Sequence, residues 1–162
     1  MTPPGLTYRQ EVCPADQEAV RTLVSSSGFF SAEEILIAVE LVAERLSQGE
    51  KSGYSFLLAE GEGRLAGYTC FGPVPGSRHS YDLYWIAVDN GLRRQGIGKD
   101  LLFGSEELIL KSGGRRIYIE TSSRPQYGGT VSFYQDCGYQ IAALLEDFYA
   151  PADGKIILVK AL

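Results

Sequence analysis

The sequence predicts a single mixed α/β domain over residues 1–162, and three observations carry that expectation. The length is that of one domain, and 44% apolar with 22% charged residues suits a globular chain able to bury a sizeable core. Segments with strand and helix periodicity interleave in the order strand, two helices, three strands, helix, strand, helix, two strands. Near the middle an apolar strand runs through a basic, glycine-containing turn into an amphipathic helix, and no repeat or low-complexity segment interrupts the pattern.

Residues 6–12 alternate as a first strand. Pro14 then suits the first turn of a helix, with Asp16 and Glu18 near its positive end and Ala19, Val20, Leu23 and Val24 facing inward. Ser25-Ser26-Ser27-Gly28 stops it. Ser31, with Glu34 three residues on, is a capping box for a second helix whose apolar face is Ile35, Val39, Val42 and Leu46, running to about Gln48. Between the two helices, Phe29 and Phe30 either line a pocket or staple the helices to the core; burial for packing is the plainer role for phenylalanine. Strands over 54–60 and 64–71 form a hairpin across Gly61-Glu62-Gly63. Tyr81–Val88 is apolar and aromatic enough for a strand buried on both faces. Ile97, Leu101, Leu102, Ser105, Leu108 and Ile109 share one face of the helix that follows, with Glu106 and Glu107 off it. Residues 116–121 form another strand, and 130–137 a short helix stopped by Gly138. Strands over 139–145 and 155–160 close the chain around a loop at 147–154, whose Asp147 and Tyr149 are candidates for an acceptor wall.

Several function classes are disfavoured. A net charge of −5 is the wrong sign for a general nucleic-acid binder and suits a cationic or neutral ligand better than an anionic one. The apolar runs are too short for a membrane span and no secretory signal opens the chain, which points to the cytoplasm. Cys13, Cys70 and Cys137 are scattered and unclustered, as free thiols in a reducing compartment would be. His79 is the only histidine, so a zinc site or a His-based triad has little to build on, no metal is expected, and His79 reads as a loop residue.

The turn at 93–98 carries the chemistry. The N–H groups that open a helix lack intrahelical partners and sit at its positive end, so a basic turn entering a helix is a site for an anion. Gly96 and Gly98 let a ligand approach the backbone, while Arg93, Arg94 and Lys99 add charge. A phosphate-binding P-loop fails because Ile97-Gly98 stand where Lys-Ser/Thr is needed, and a dinucleotide fingerprint fails because Leu101 holds the third glycine position. Arg93-Arg94-Gln95-Gly96-Ile97-Gly98 does resemble the acyl-CoA loop Gln/Arg-x-x-Gly-x-Gly/Ala of the GNAT superfamily of N-acetyltransferases. Phe133-Tyr134-Gln135-Asp136-Cys137-Gly138-Tyr139 is similar to that family's Phe-Tyr-x-x-x-Gly-Phe segment, at the expected distance, and the element order agrees over nearly the whole chain.

The resemblance implies a central, mostly antiparallel twisted sheet with a splayed pair of parallel strands, flanked by helices. It implies acetyl-CoA as co-substrate, direct attack by an amine-bearing acceptor in a ternary complex, and a small molecule or peptide as that acceptor. Homodimers are common in the family. By the same resemblance the backbone of Ile86, Ala87 and Val88 pairs with the pantetheine arm, residues 93–99 cradle the pyrophosphate, and Thr130 and Phe133 lie on the donor side. Tyr127 and Thr130 stand where many members carry Asn and Ala, which puts the Asn contact to pantetheine in doubt. Acyl transfer needs a proton for the leaving thiolate and a base for the amine. Tyr134 holds the motif position for the acid, or else is one more core aromatic. Asp82 stands where histone-acetylating relatives carry a glutamate base; Glu120 competes as base or acceptor contact, water is a third option, and Tyr84 is placed to assist. Cys137 has no His-like partner and is a poor nucleophile. Two other functions remain open: a non-catalytic acyl-CoA-binding module, and an acetyltransferase acting on a protein N-terminus or lysine.

Overall fold

The computed structural model describes residues 5–162. Its elements are β1 (Thr7–Arg9), α1 (Asp16–Ser26), α2 (Ala32–Gln48), β2 (Ser55–Gly61), β3 (Arg64–Pro73), β4 (Ser80–Val88), α3 (Ile97–Lys111), β5 (Arg116–Ser122), α4 (Gly128–Asp136), β6 (Gln140–Ala150) and β7 (Asp153–Ala161). The strands form one seven-stranded sheet in the order β1-β2-β3-β4-β5-β7-β6, with β4 and β5 parallel and the other described ladders antiparallel. The mixed α/β, mostly antiparallel architecture is the one expected. No helix among the described residues is long and apolar enough to cross a membrane.

The chain packs as two compact units, Met1–Gly72 with Trp85–Leu108, and Pro73–Tyr84 with Ile109–Leu162. In the first, β2 and β3 are buried on both faces. One face carries Phe56, Leu58, Tyr68 and Cys70 against Val20, Val24, Val39 and Val42 of α1 and α2. The capping box forms as the sequence predicts, with the Ser31 hydroxyl accepting from the Glu34 N–H and Glu34 from the Ser31 N–H. Phe30 packs on this cluster with its ring 4.9 Å from that of Trp85, so it acts as the staple. On the opposite face, Gly104 of α3 lies against Leu57. Ser105 is buried but satisfied: its hydroxyl donates to the Leu101 carbonyl at 2.8 Å and accepts from Thr69 at 2.6 Å. The hairpin turn has positive φ at Glu62 and Gly63, as a two-residue type I′ connection requires.

Departures from the expected pattern have local causes. The first strand is shortened to Thr7–Arg9 because the chain beyond it is drawn onto Asp16, which accepts from the Cys13 N–H and from both Arg9 guanidinium nitrogens. Glu106, which the sequence places off the apolar face of α3, is only 9% exposed. β4 is not buried on both faces: in 80–84 only Leu83 is buried and Tyr84 is 39% exposed. Its apolar letters fill both faces, but packing covers one. The loop at 147–154 is largely strand, since β6 runs to Ala150 and only Pro151-Ala152 turn. Asp147 and Tyr149 therefore lie in a bulge of β6, where the register with β7 jumps between Leu145↔Lys155 and Ala150↔Asp153.

Arg9 bridges Asp16 and Glu60 at 2.7 Å each and ties β1 to α1 and β2. Burial alone would raise the Asp16 carboxyl, but the Arg9 hydrogen bonds and charge and the Cys13 N–H outweigh it and hold it below the usual range. An acid with a depressed folded value stabilises the fold above its unfolded pKa, and that stability is lost as pH falls through the folded value. Asp16→Asn should therefore cost about 3 kcal/mol at neutral pH, measured by chemical denaturation, with the gap to wild type closing below about pH 4.

Candidate active site

In the first unit the end of β4, the turn and the start of α3 form a strand–loop–helix module. Trp85 and Ala87 pack on the helical core, leaving Ile86 and Val88 half-buried on the alternate face. Gly67 of β3 sets how closely these parts approach: a Cβ there would lie 2.9 Å from the Ala87 carbonyl, 3.0 Å from Leu101 and 3.4 Å from Ile97. The chain leaves β4 at Asp89, whose N–H donates to the Ala66 carbonyl at 2.8 Å and whose carboxylate accepts from the Gly91 N–H. Arg93 is extended, Arg94 has φ +62° and Gly96 φ +85°, a conformation glycine adopts freely. The first helical bond runs from the Asp100 N–H to the Gly96 carbonyl, so the N–H groups of 97–99 open the helix without an intrahelical acceptor. Arg93, Arg94, Gln95 and Lys99 are exposed around them, with Lys99 5.6 Å over the Phe103 ring, while Ile97 is buried and anchors the turn. Backbone donors at a helix start and three exposed cations are the chemistry a pyrophosphate would need.

The second unit holds the titratable groups. β4 and β5 pair in parallel from Ser80↔Arg116 to Leu83↔Ile119, where the ladder ends. Directly opposed residues share a face, so Leu83, Ile117, Ile119 and Leu158 form a buried side, while Asp82, Tyr118, Glu120 and Lys155 lie on the open one. Lys155 donates to Glu120 at 2.9 Å, and its ammonium stands 4.1 Å over the Phe148 ring. Burial pushes the Asp82 carboxyl above its ordinary range; the negative charge of Glu120 adds to this and the positive charge of Lys155 opposes it.

Tyr134 is on α4, 4% exposed, and burial holds its phenol protonated well above the usual range. The motif residues around it explain one another. Gly138, at φ +95°, donates to the Gln135 carbonyl, and Tyr139 donates to the Tyr134 carbonyl, the paired bonds of a Schellman stop. Tyr139 then lays its ring 5.7 Å from that of Tyr134, with Phe133 5.4 Å away on the other side. Lys160 completes the end by donating to the Cys137 carbonyl at 2.9 Å. Thr130 is half-buried on the same helix. Tyr127 is buried beneath Arg124, whose guanidinium lies 5.3 Å over the ring and 3.3 Å from Asp153. His79 is an exposed loop residue whose Nδ1 lies 3.0 Å from the Gly113 carbonyl. All three cysteines are free thiols.

A basic turn that opens a helix, following a strand whose parallel ladder ends at Leu83↔Ile119, is the arrangement that the resemblance to CoA-dependent acyltransferases leads one to expect. A family model for the Acetyltransferase (GNAT) family matches residues 19–139, and the chain belongs to that family. It is similar to a GNAT-family structure from Desulfovibrio desulfuricans, at 39% identity over 97% of this chain and 99% of that one, with a TM-score of 0.95. It shares the fold of the ribosomal-protein-S18-alanine N-acetyltransferase from Escherichia coli, at TM-score 0.75 and 20% identity over 96% and 93% of the two chains. An aminoglycoside 6′-N-acetyltransferase complexed with coenzyme A has the same fold, at TM-score 0.74 and 18% identity over 96% of each chain. The uncharacterized N-acetyltransferase YvbK of Bacillus subtilis is 36% identical over 64 residues, 40% of each protein, so the match spans less than half of that relative.

Lys155, Phe148 and Arg124 escaped the sequence reading. Each acts across strand register or a bulge, and the one local hint was a lysine opening the apolar run Ile156–Val159. Gly138→Ala should test the α4 stop. Forcing a Cβ into that left-handed conformation costs about 1–2 kcal/mol, read as a lower melting temperature. The near-ultraviolet circular dichroism of the Tyr134–Tyr139 pair should weaken with it, whereas Gly128→Ala, at an open helical position, should change neither.

Proposed function

We propose that this chain is an acetyl-CoA-dependent N-acetyltransferase, one domain over residues 1–162 acting in the cytoplasm, that moves an acetyl group to a primary amine by direct attack. The observation that carries the proposal is the open acidic face of Asp82 and Glu120, with Asp82 held above the ordinary carboxylate range, in a family whose donor loop the chain keeps. Arg93–Lys99 would bind the donor pyrophosphate through the N–H groups of the helix start, and the backbone of Ile86–Val88 would run along the pantetheine. Thr130 and Phe133 would flank that arm. Asp82 takes the proton of the ammonium, directly or through water, and the amine lone pair attacks the thioester carbonyl. As the carbon–sulfur bond breaks, the leaving thiolate takes the Tyr134 hydroxyl proton; the nitrogen gives up its second proton, directly or through water, to the Tyr134 phenolate, Asp82 returns its proton to solvent, and CoA and the acetamide leave. The buried phenol stays protonated through the neutral range, as an acid must before it acts.

The acidic face favours a cationic acceptor, a small amine or a peptide amine, over an anionic one. Isothermal titration with acetyl-CoA, beside CoA lacking its 3′-phosphate, tests the donor; thiol release across a panel of free amines and peptides tests turnover. Saturable donor binding with release for at least one amine is expected. Silence toward millimolar donor overturns the proposal.

Two outcomes follow from the assigned roles. Tyr134→Phe should lower kcat by roughly 10²–10⁴-fold with donor affinity kept. Asp82→Asn should abolish the acid limb of the kcat/KM profile, which in wild type sits above the ordinary carboxylate range. Because an acid raised on folding makes the native state less stable as pH climbs through that value, Asp82→Asn should also leave neutral-pH stability equal or higher. A wild-type acid limb in Asp82→Asn would transfer the base to Glu120 or water.

A further inference from the structure

We propose that Lys155 is a positioning residue of the acceptor face: it holds the Glu120 carboxylate in place and supplies the positive charge beside which Asp82 and Glu120 can both stand as carboxylates. The proposal rests on the acetyl-transfer function for its kinetic consequences and on geometry for the rest.

Lys155 is not a surface lysine. Its side chain is 14% exposed, its ammonium lies 2.9 Å from Glu120 Oε2, and the Phe148 ring covers it at 4.1 Å. The bulge of β6 makes that cover. Asp147 at φ +55° and Ala152 at φ +62° bend the strand end, and the Asp147 carboxylate accepts from the Ala152 N–H at 2.8 Å. Register then sets the electrostatics. Asp82 lies opposite Tyr118 and Lys155 opposite Ser122, so Glu120 is the diagonal neighbour of both. Two carboxylates and one ammonium leave one net negative charge, which a singly charged primary ammonium would neutralise.

Among the described residues, β5 contributes Arg116 at its exposed start, Tyr118 and Glu120 to this face; β7 contributes Lys155 and, two residues before it, Asp153, which accepts from the Ser122 hydroxyl and pairs with Arg124 at 3.3 Å; on β4 itself the next residue on Asp82's face is Tyr84. Glu120 raises the Asp82 carboxyl and Lys155 lowers it, in agreement with the arrangement. Loss of Lys155 leaves like charges together and favours the protonated acid.

The test uses carboxyl carbon-13 NMR to titrate Asp82 in the full-length, unliganded protein. Lys155→Met should move the Asp82 midpoint to higher pH, Lys155→Arg should restore it, and Glu120→Gln should move it to lower pH. In turnover, Lys155→Met should shift the acid limb of kcat/KM in the same direction. The foot of that limb should fall by roughly 3–10-fold while the alkaline plateau holds within about twofold. An unmoved Asp82 midpoint in Lys155→Met, or no rescue by Lys155→Arg, overturns the proposal. Should the wild type acetylate no amine, the acetyl-transfer function fails on its own evidence, and the NMR titration still decides Lys155. If Lys155→Met unfolds, Lys155→Gln with thermal denaturation as a control takes its place.

Discussion

At Gly67 three elements meet with no room for a Cβ. A Cβ on this one β3 residue would come 2.9 Å from the Ala87 carbonyl of β4 and 3.0 and 3.4 Å from the α3 side chains Leu101 and Ile97, closer than side chains normally pack. The interior is packed like a crystal, so such a contact fixes position rather than merely filling space. What it fixes is where β4 ends relative to where α3 begins, and so the path of the turn between them. Asp89 adds the hydrogen bonds that start that path, and buried Ile97 ends it. The helix-start N–H groups are presented in one geometry because the strand and helix on either side cannot slide. An anion site made of backbone has no other way to be specific.

In the other unit the same problem is solved by a helix end. The backbone and ring of Tyr134 are held by the stop that follows it: glycine in the left-handed region, a returning hydrogen bond from Tyr139 and a ring-to-ring contact across the stop. The segment Phe133-Tyr134-Gln135-Asp136-Cys137-Gly138-Tyr139 is thus a local folding instruction. Its glycine and second aromatic are there for the tyrosine. Lys160, two strands later in the chain, adds a cation at the helix end where the dipole is negative.

Much of this was legible in the letters and some was not, and the division follows range. Features whose cause lies within about four residues were readable: the Ser31–Glu34 box, the Gly138 stop, the Gly61–Gly63 hairpin, and the strand–turn–helix around residues 93–98. Features decided by register or by what a neighbour covers were not. Tyr81–Val88 looks like a strand buried on both faces, yet its open side carries Asp82 and Tyr84, because apolar letters say nothing about whether a layer lies over them. The stretch at 147–154 looks like a loop because of Asp147, Pro151 and Gly154, yet a bulge absorbs the surplus residues and pairing resumes. Lys155 belongs to Glu120 only once β5 and β7 are aligned.

Charge economy on the open face unites the chemistry with the fold. Two carboxylates brought together on a half-open sheet repel, and the simplest relief is for one to take a proton, which would leave a single charge and no idle base. A lysine bound to the more exposed carboxylate changes the outcome. Glu120 is compensated by Lys155 at 2.9 Å, and the more buried Asp82 is raised above the ordinary range by burial first and by Glu120 second, with Lys155 opposing. Covering the lysine with Phe148 strengthens the arrangement, because a partly desolvated ion pair is screened less than one in water. The bulge of β6, which reads as an irregularity in the ladder, is then the device that puts an aromatic ring over the Lys155 ammonium.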